Sequence, residues 1–381
     1  MNINTLSNQI MRPSFRFIGI AIAAATALHA APFLAIGDNA EVFLTGTLGS
    51  KYDDNLYLTK NNTKSSFIFD EIPGVELDFG HNSLYKGVFS FKEDLIQYAS
   101  ASKQNTGLAN AQFSSAYNDE KLIFKLAGGF QQIAQNSRDA VNVAGVIVRH
   151  DSASAGTSGE VVISQKTTVK LGFDYDKSKY KTPGYIDQAN YNFPVSAYYE
   201  VAPKLAAALG YRFRDTEIKG ANSKEHNFSI GARGDFTPKL QGSFNVGYTE
   251  RKPNSGSSSS LVGLDANLTY LFSPKTTFRL TGTNDFANAA TGDAQKVFGV
   301  IGGVTSVLNE EFTADASVGY HSYDYIGSGR KDDYYEGQVG LTYKYNTYLN
   351  FTGAYSYRNN SSTSPAQFSD NLLSIAANVR Y

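Results

Sequence analysis

The stretch Asn227-Phe228-Ser229-Ile230-Gly231-Ala232-Arg233-Gly234-Asp235-Phe236 is followed by Thr237-Pro238-Lys239, and then by Leu240-Gln241-Gly242-Ser243-Phe244-Asn245-Val246-Gly247-Tyr248-Thr249. Phe228, Ile230, Ala232, Gly234 and Phe236 share one parity, with Asn227, Ser229, Gly231, Arg233 and Asp235 on the other. After the break, Leu240, Gly242, Phe244, Val246 and Tyr248 oppose Gln241, Ser243, Asn245, Gly247 and Thr249. A period of two places successive side chains on opposite faces of a strand, so each segment has one apolar and one wet face. Pro238 presets φ near about −65° and lets the chain reverse between them. The unit is a long β-hairpin.

Working outward, the same break recurs at Ala202-Pro203-Lys204-Leu205, Ser273-Pro274-Lys275-Thr276, Asn309-Glu310-Glu311-Phe312 and Asn346-Thr347-Tyr348-Leu349. Pro203, Pro238, Pro274, Glu310 and Asn346 are spaced by 35, 36, 36 and 36 residues. A second, more polar break lies between markers, such as Lys252-Pro253-Asn254-Ser255-Gly256-Ser257 or Arg358-Asn359-Asn360-Ser361-Ser362-Thr363. The alternation excludes helical repeats of this period. A propeller blade needs about four strands in ~40 residues, whereas each unit here holds two strands of ten or more.

Regular alternation with short turns at one end and longer polar loops at the other predicts an all-β fold, a transmembrane up-and-down antiparallel β-barrel. Lipid supplies no hydrogen-bond partner, so a sheet within it must close on itself. Strands are expected at 41–50, 67–80, 84–97, 107–118, 121–134, 146–163, 167–178, 190–201, 205–216, 224–236, 240–251, 259–272, 276–286, 294–307, 311–324, 333–345, 348–358 and 368–381. That makes about 18, with nine outer loops and eight inner turns; 16 is the fallback, because 135–165 is irregular and Val141 to Val148 is nearly continuous apolar. Barrels of this size leave an aqueous channel. Tyr211, Tyr248, Tyr270, Tyr320, Tyr343, Tyr345 and Tyr355 are placed at strand ends as interface girdles. Pro194 and Pro73 fall inside expected strands and each removes a ladder donor, which is easiest at a rim or bulge.

Composition agrees. Of 381 residues, 41% are hydrophobic and 13% aromatic, so apolar side chains line a surface rather than fill one thick core. The absence of Cys excludes disulfides, thiolate metal sites, a cysteine nucleophile and a lipoprotein anchor. Lys and Arg number 34 against 35 Asp and Glu, which gives no footprint for nucleic acid. Residues 1–30 read as a secretory signal peptide: Arg12 and Arg16, an apolar run from Phe17 to Leu28, and small residues at 27–31 where cleavage is expected. Residues 31–381 then form a single barrel domain, with no room for a plug. The destination expected is the outer membrane of a Gram-negative bacterium.

The segments Ala35-Ile36-Gly37-Asp38-Asn39-Ala40-Glu41-Val42-Phe43-Leu44-Thr45-Gly46, Tyr52-Asp53-Asp54-Asn55-Leu56-Tyr57-Leu58 and Pro73-Gly74-Val75-Glu76-Leu77, the Ser-Pro-Lys type turns and the terminal aromatic residue carry a resemblance. They resemble the putative beta-barrel porin 2 family. That resemblance implies an outer-membrane barrel, some relatives lying in exopolysaccharide-export settings, and carries over no catalytic residue. The last strand, Leu373 to Tyr381, ends like the signal read by the barrel-insertion machinery, with Tyr381 its terminal residue.

Chemistry has few candidates. His81 lies in an expected inner turn, His150 in the irregular sixth strand, and His226 and His321 near outer strand ends; none belongs to a recognisable Ser-His-Asp arrangement. Neither a catalytic residue nor a cofactor is expected. Tyr52-Asp53-Asp54-Asn55 has oxygen ligands suited to Ca²⁺ but lacks the glycine and distal Glu of an EF-hand loop, so a solvated outer loop without metal is expected. Parity assigns to the lumen the charges Arg212, Arg214, Arg233, Asp235, Asp265, Arg279, Asp315, Glu336, Lys344, Arg358 and Arg380, among others of both signs. With signs balanced, the expected function is a porin-like passive diffusion channel for small hydrophilic solutes with weak charge selectivity, or a lumen partly bridged by cross-barrel ion pairs. The partners expected are outer-membrane lipid and such solutes. Alternatives are a structural or export-linked barrel associated with surface polysaccharide, and an outer-membrane hydrolase.

Overall fold

A computed structural model describes residues 31–138, 140, 142 and 144–381; the expected signal peptide lies outside them. The backbone is nearly all antiparallel sheet. A three-residue strand β1 (Leu34–Ile36) precedes eighteen long strands: β2 (Ala40–Asp53), β3 (Ser66–Phe79), β4 (Tyr85–Tyr98), β5 (Thr106–Asn118), β6 (Leu122–Ala134), β7 (Arg149–Ser164), β8 (Thr167–Tyr180), β9 (Gln188–Ala202) and β10 (Leu205–Ile218). The ring continues with β11 (Ser223–Asp235), β12 (Leu240–Pro253), β13 (Ser259–Ser273), β14 (Thr276–Asn288), β15 (Ala294–Val307), β16 (Phe312–Tyr325), β17 (Lys331–Lys344), β18 (Leu349–Ser362) and β19 (Phe368–Arg380). Each pairs with its chain neighbour, and β19 pairs with β2 from Leu372↔Asp53 to Arg380↔Thr45, which closes the ring. Below the end of that seam β1 continues the ladder, pairing Leu34↔Val42 through Ile36↔Ala40. Eighteen strands therefore hold and sixteen do not.

Alternation sets the two faces. Leu48, Ile230, Val318 and Ile375 point outward and stay more than 60% exposed, an apolar belt that only hydrocarbon would cover without cost. Upper aromatic contacts run strand to strand, with ring centroids 5.1 Å apart for Phe173 and Phe193, 6.2 Å for Phe193 and Phe213, and 5.3 Å for Phe213 and His226. A lower group joins Phe312, Tyr343 and Phe351. Tyr211, Tyr248, Tyr320 and Tyr355 lie within strands rather than at their ends. The reason is length: about 14 residues at ~3.3 Å, tilted ~40°, rise about 35 Å, more than the ~25 Å apolar band of such barrels.

Turn chemistry explains the repeat. The Asn309 side chain accepts the N–H groups of Glu311 and Phe312, and Asn346 accepts those of Tyr348 and Leu349. Thr237 and Ser273 do the same for the residues two and three further on. The capping position, not the proline, is what these four turns share. Ala202 cannot cap, and there Lys204 takes φ 65° after Pro203 instead. In the β5–β6 turn the backbone N–H groups of Lys121 and Leu122 hold the Asp119 carboxyl below the usual carboxylate range.

The two prolines are absorbed differently from a rim position. Pro194 pairs in register with Arg212 on β10, while the β8 ladder skips from Leu171↔Val195 to Asp174↔Asn192. Gly172 faces the proline ring there, and a Cβ on it would lie 2.9 Å from Pro194 Cγ. Pro73 keeps its partner Gly46 on β2, and the β4 ladder is interrupted between Glu71↔Leu95 and Gly74↔Lys92.

Two expectations fail on the outer side. The apolar run before β7 does not extend the strand: residues 144–148 lie in an outer loop with Ile147 and Val148 buried, while Val141 and Val143 lie outside the described residues. The first outer loop, 54–65, is not solvated at its start, since Asn55 is 1% exposed and Leu56, Tyr57 and Leu58 are all buried. Leu56 and Tyr57 pack with Ile68, Ile96, Tyr98 and Ile147, and Leu58 packs with Ala289, Tyr323, Tyr325, Tyr334 and Phe368. A continuous apolar run reads alike in a buried strand and in a loop folded into the mouth, so periodicity could not separate them.

Candidate functional site: the charged interior

The interior is wired by side chains that reach past their neighbours. Arg212 and Arg214 on β10 meet Asp285 on β14, at 2.8 and 3.3 Å. Those strands are four places apart in the ring, so the contact bridges one sector of the bore rather than adjacent strands. Arg214 also pairs with Glu225 of β11, which is 1% exposed, and donates to the Phe286 carbonyl at 2.9 Å. Arg251 of β12 lies 3.6 Å from Glu225 and donates to the Ala287 carbonyl and to the Asn288 side chain. The three guanidiniums bond two carboxylates directly, with Asp176 of β8 a further carboxylate acting on Arg214, and carbonyls at the end of β14 take the remaining N–H donors.

Nearer the inner turns, Arg233 of β11 bonds Glu160 of β7 at 3.0 Å and lies 3.3 Å from the Tyr198 ring centroid. Arg380 of β19 reaches over β2 to Glu76 and Asp78 of β3, at 2.7 and 2.9 Å, with its guanidinium over Phe43. Glu336 meets His321 at 3.2 Å, Arg358 pairs with Asp370, and Asp235 lies 3.9 Å from Lys204. Arg279 bonds Thr305, and Asp315 is 7% exposed with both carboxylate oxygens unmatched by a hydrogen bond. Asp265 and Lys344 occupy positions of the same parity as their neighbours Arg279 and Glu336, Asp265 pairing across the ladder with Thr283. Of the residues assigned to the lumen, the structure thus joins Arg212 with Arg214, and sets Arg233, Arg358 and Arg380 in separate pairs.

The outer mouth is narrowed by loops. Asn136 donates its side-chain N–H to the Tyr57 carbonyl at 3.0 Å, and Arg138 lies over the rings of Tyr323 and Tyr334. Across the opening, Ile186 donates its N–H to the Ala290 carbonyl at 3.0 Å, joining the β8–β9 and β14–β15 loops. Burial pushes the Tyr57 hydroxyl above its ordinary pKa. Tyr57, Asn136 and Arg138 were not distinguishable as site residues in the sequence, because loop contacts have no period.

Among the described residues the histidines meet tyrosines and carboxylates. His226 bonds the Tyr211 hydroxyl at 2.9 Å, His150 lies tilted against the Tyr180 ring at 4.9 Å, and His81 in the inner turn lies 3.7 Å from Glu41.

The family model described as Putative beta-barrel porin 2 matches residues 221–381. That part holds the Ser273-Pro274-Lys275 turn and the terminal Tyr381; the N-terminal segments of the resemblance lie before it. Among solved structures, OccK2 (OpdF) of Pseudomonas aeruginosa in complex with glucuronate is similar at a TM-score of 0.50 and 9% identity, over 90% of this chain and 98% of that one. A BenF-like porin from Pseudomonas fluorescens Pf-5 is similar at 0.50 and 9%, over 90% and 99%. At that identity the likeness is one of fold. No curated protein matches the chain.

Proposed function

We propose that the chain is a porin-like passive channel for small hydrophilic solutes in a bacterial outer membrane, reached through a cleaved signal peptide. One observation carries the reading: a closed ring of eighteen strands, apolar outside and lined inside with charges of both signs. Such a ring needs no edge partner in lipid and encloses water rather than packed side chains. Arg212, Arg214, Arg233, Asp235, Asp265, Arg279, Asp315, Glu336, Lys344, Arg358 and Arg380 are the proposed lining. Most of the arginines are neutralised by a bonded acid, so neither sign dominates and selectivity is weak. Tyr381, whose N–H and carbonyl bond Leu44 at the seam, is proposed as the residue read during insertion.

The bridges inside the bore and the inward loops favour narrow passage, and they are also what a scaffold associated with surface polysaccharide would have. Planar-bilayer recording separates the two. The channel gives discrete steps with a cation-to-anion permeability ratio near one. A membrane-inserted protein without steps leaves the scaffold, and a strong preference for one sign overturns the balanced lining.

A further inference from the structure

A second charge cluster lies where the ring closes. Asp53 ends β2, Asp54 opens the first outer loop, and Asp370 lies on β19, two residues before the Leu372↔Asp53 pair. One carboxylate oxygen from each lies within 4.8 Å of the others. Donors orient two of them: Asn55 gives its N–H to Asp53 at 2.8 Å, and Asn371 gives Asp54 its backbone N–H at 2.8 Å and its side-chain N–H at 2.6 Å. Asp370 is 0% exposed; its Oδ2 accepts from Arg358 Nε at 2.7 Å, and its Oδ1 is buried with no N–H donor among the described residues.

A buried carboxylate oxygen with no donor, close to two further carboxylates, is an arrangement that a proton or a metal ion must complete. Three carboxylates and the one bonded guanidinium leave a charge of about −2, which one divalent cation cancels. Oxygens bound to one Ca²⁺ at 2.3–2.6 Å are at most about 5 Å apart, which the cluster satisfies. The ligand atoms are hard oxygens, without His or Cys to select zinc.

We propose that Asp53, Asp54 and Asp370 bind a divalent cation of the Ca²⁺ class, which ties the first outer loop to the last strand. The loop is already anchored beside the site, because the Asn55 side chain donates to the carbonyls of Thr59 and Ser369, at 2.8 Å each. Cation binding therefore holds Leu56, Tyr57 and Leu58 in the mouth.

The test uses the full chain refolded in detergent, with Tb³⁺ excited through tyrosine, since the protein has no Trp and Tyr52 and Tyr57 flank the site. Saturable emission displaced by Ca²⁺ is expected, at least about tenfold weaker in affinity for Asp370→Asn and for the more peripheral Asp54→Asn. On the wild-type protein, trypsin cleavage at the exposed Lys60 and Lys64 should slow with Ca²⁺ relative to chelator, by up to about 100-fold at a hundred times Kd if loop opening precedes cleavage. Wild-type protein without Ca²⁺-displaceable emission overturns the proposal and leaves a shared proton between Asp53 and Asp370. Emission unchanged in both variants, or cleavage indifferent to Ca²⁺, also overturns it.

Discussion

The arginine cluster on β10, β11, β12 and β14 and the aspartate cluster at the β2–β19 seam lie in the same outer half of the bore and are solved in opposite ways. In the first, donors exceed the carboxylate acceptors, since each guanidinium has five, and the nearby carbonyls of Phe286 and Ala287 accept the extra ones. In the second, anions exceed cations, and carboxylates only accept. Asn55 and Asn371 supply N–H groups to Asp53 and Asp54, but among the described residues no N–H group donates to Asp370 Oδ1. An excess of donors can be absorbed by backbone; an excess of buried acceptors needs something brought in.

The sharpest break of that contrast is Arg214→Met. It leaves Glu225 buried beside Arg251 alone and should cost about 3–5 kcal/mol of unfolding free energy in denaturant titration, with larger conductance steps. A cost below about 1 kcal/mol would show that the cluster is not cooperative. The value of an arginine also depends on its face. Ile230→Arg, on the outer belt, should cost about 2–4 kcal/mol, while Ser229→Arg one residue away turns inward and should cost far less.

Reversing the sign of the effect is the next test. Asp53→Asn in chelator relieves repulsion at the seam and should be neutral or stabilising by about 1 kcal/mol, the opposite of Arg214→Met. A large loss there would make the two clusters alike. Asn309→Ala removes a turn cap remote from both and should cost about 0.5–1 kcal/mol, a baseline for a single hydrogen-bonding side chain. Smallest in stability, within about 0.5 kcal/mol, is the pair Arg279→Gln with Lys344→Gln. It should still shift reversal potentials toward cations, since neither residue is in a buried carboxylate pair like that of Arg214.

Much of the ring was legible before any coordinate. Leu240–Pro253 and Phe312–Tyr325 begin within a residue of where alternation starts them, because a half-wet strand writes its period into every second side chain. The late start of β7 was not legible, since a loop segment packed into the mouth, such as that of Ile147, is as apolar as a strand. Nor was the three-residue β1, too short to show a period.

Parity alone sorted the charges onto one face of each strand, for a strand has only two sides. It could not pair them. Arg212 and Asp285 are 73 residues apart, and Asp54 and Asn371 are 317 apart. Those meetings depend on how many strands stand between them and on the register that closes β19 against β2. Closure is a property of the whole ring: only when the last strand finds the first does the chain acquire an inside, and with it the bridges within the bore and the carboxylates gathered at the seam.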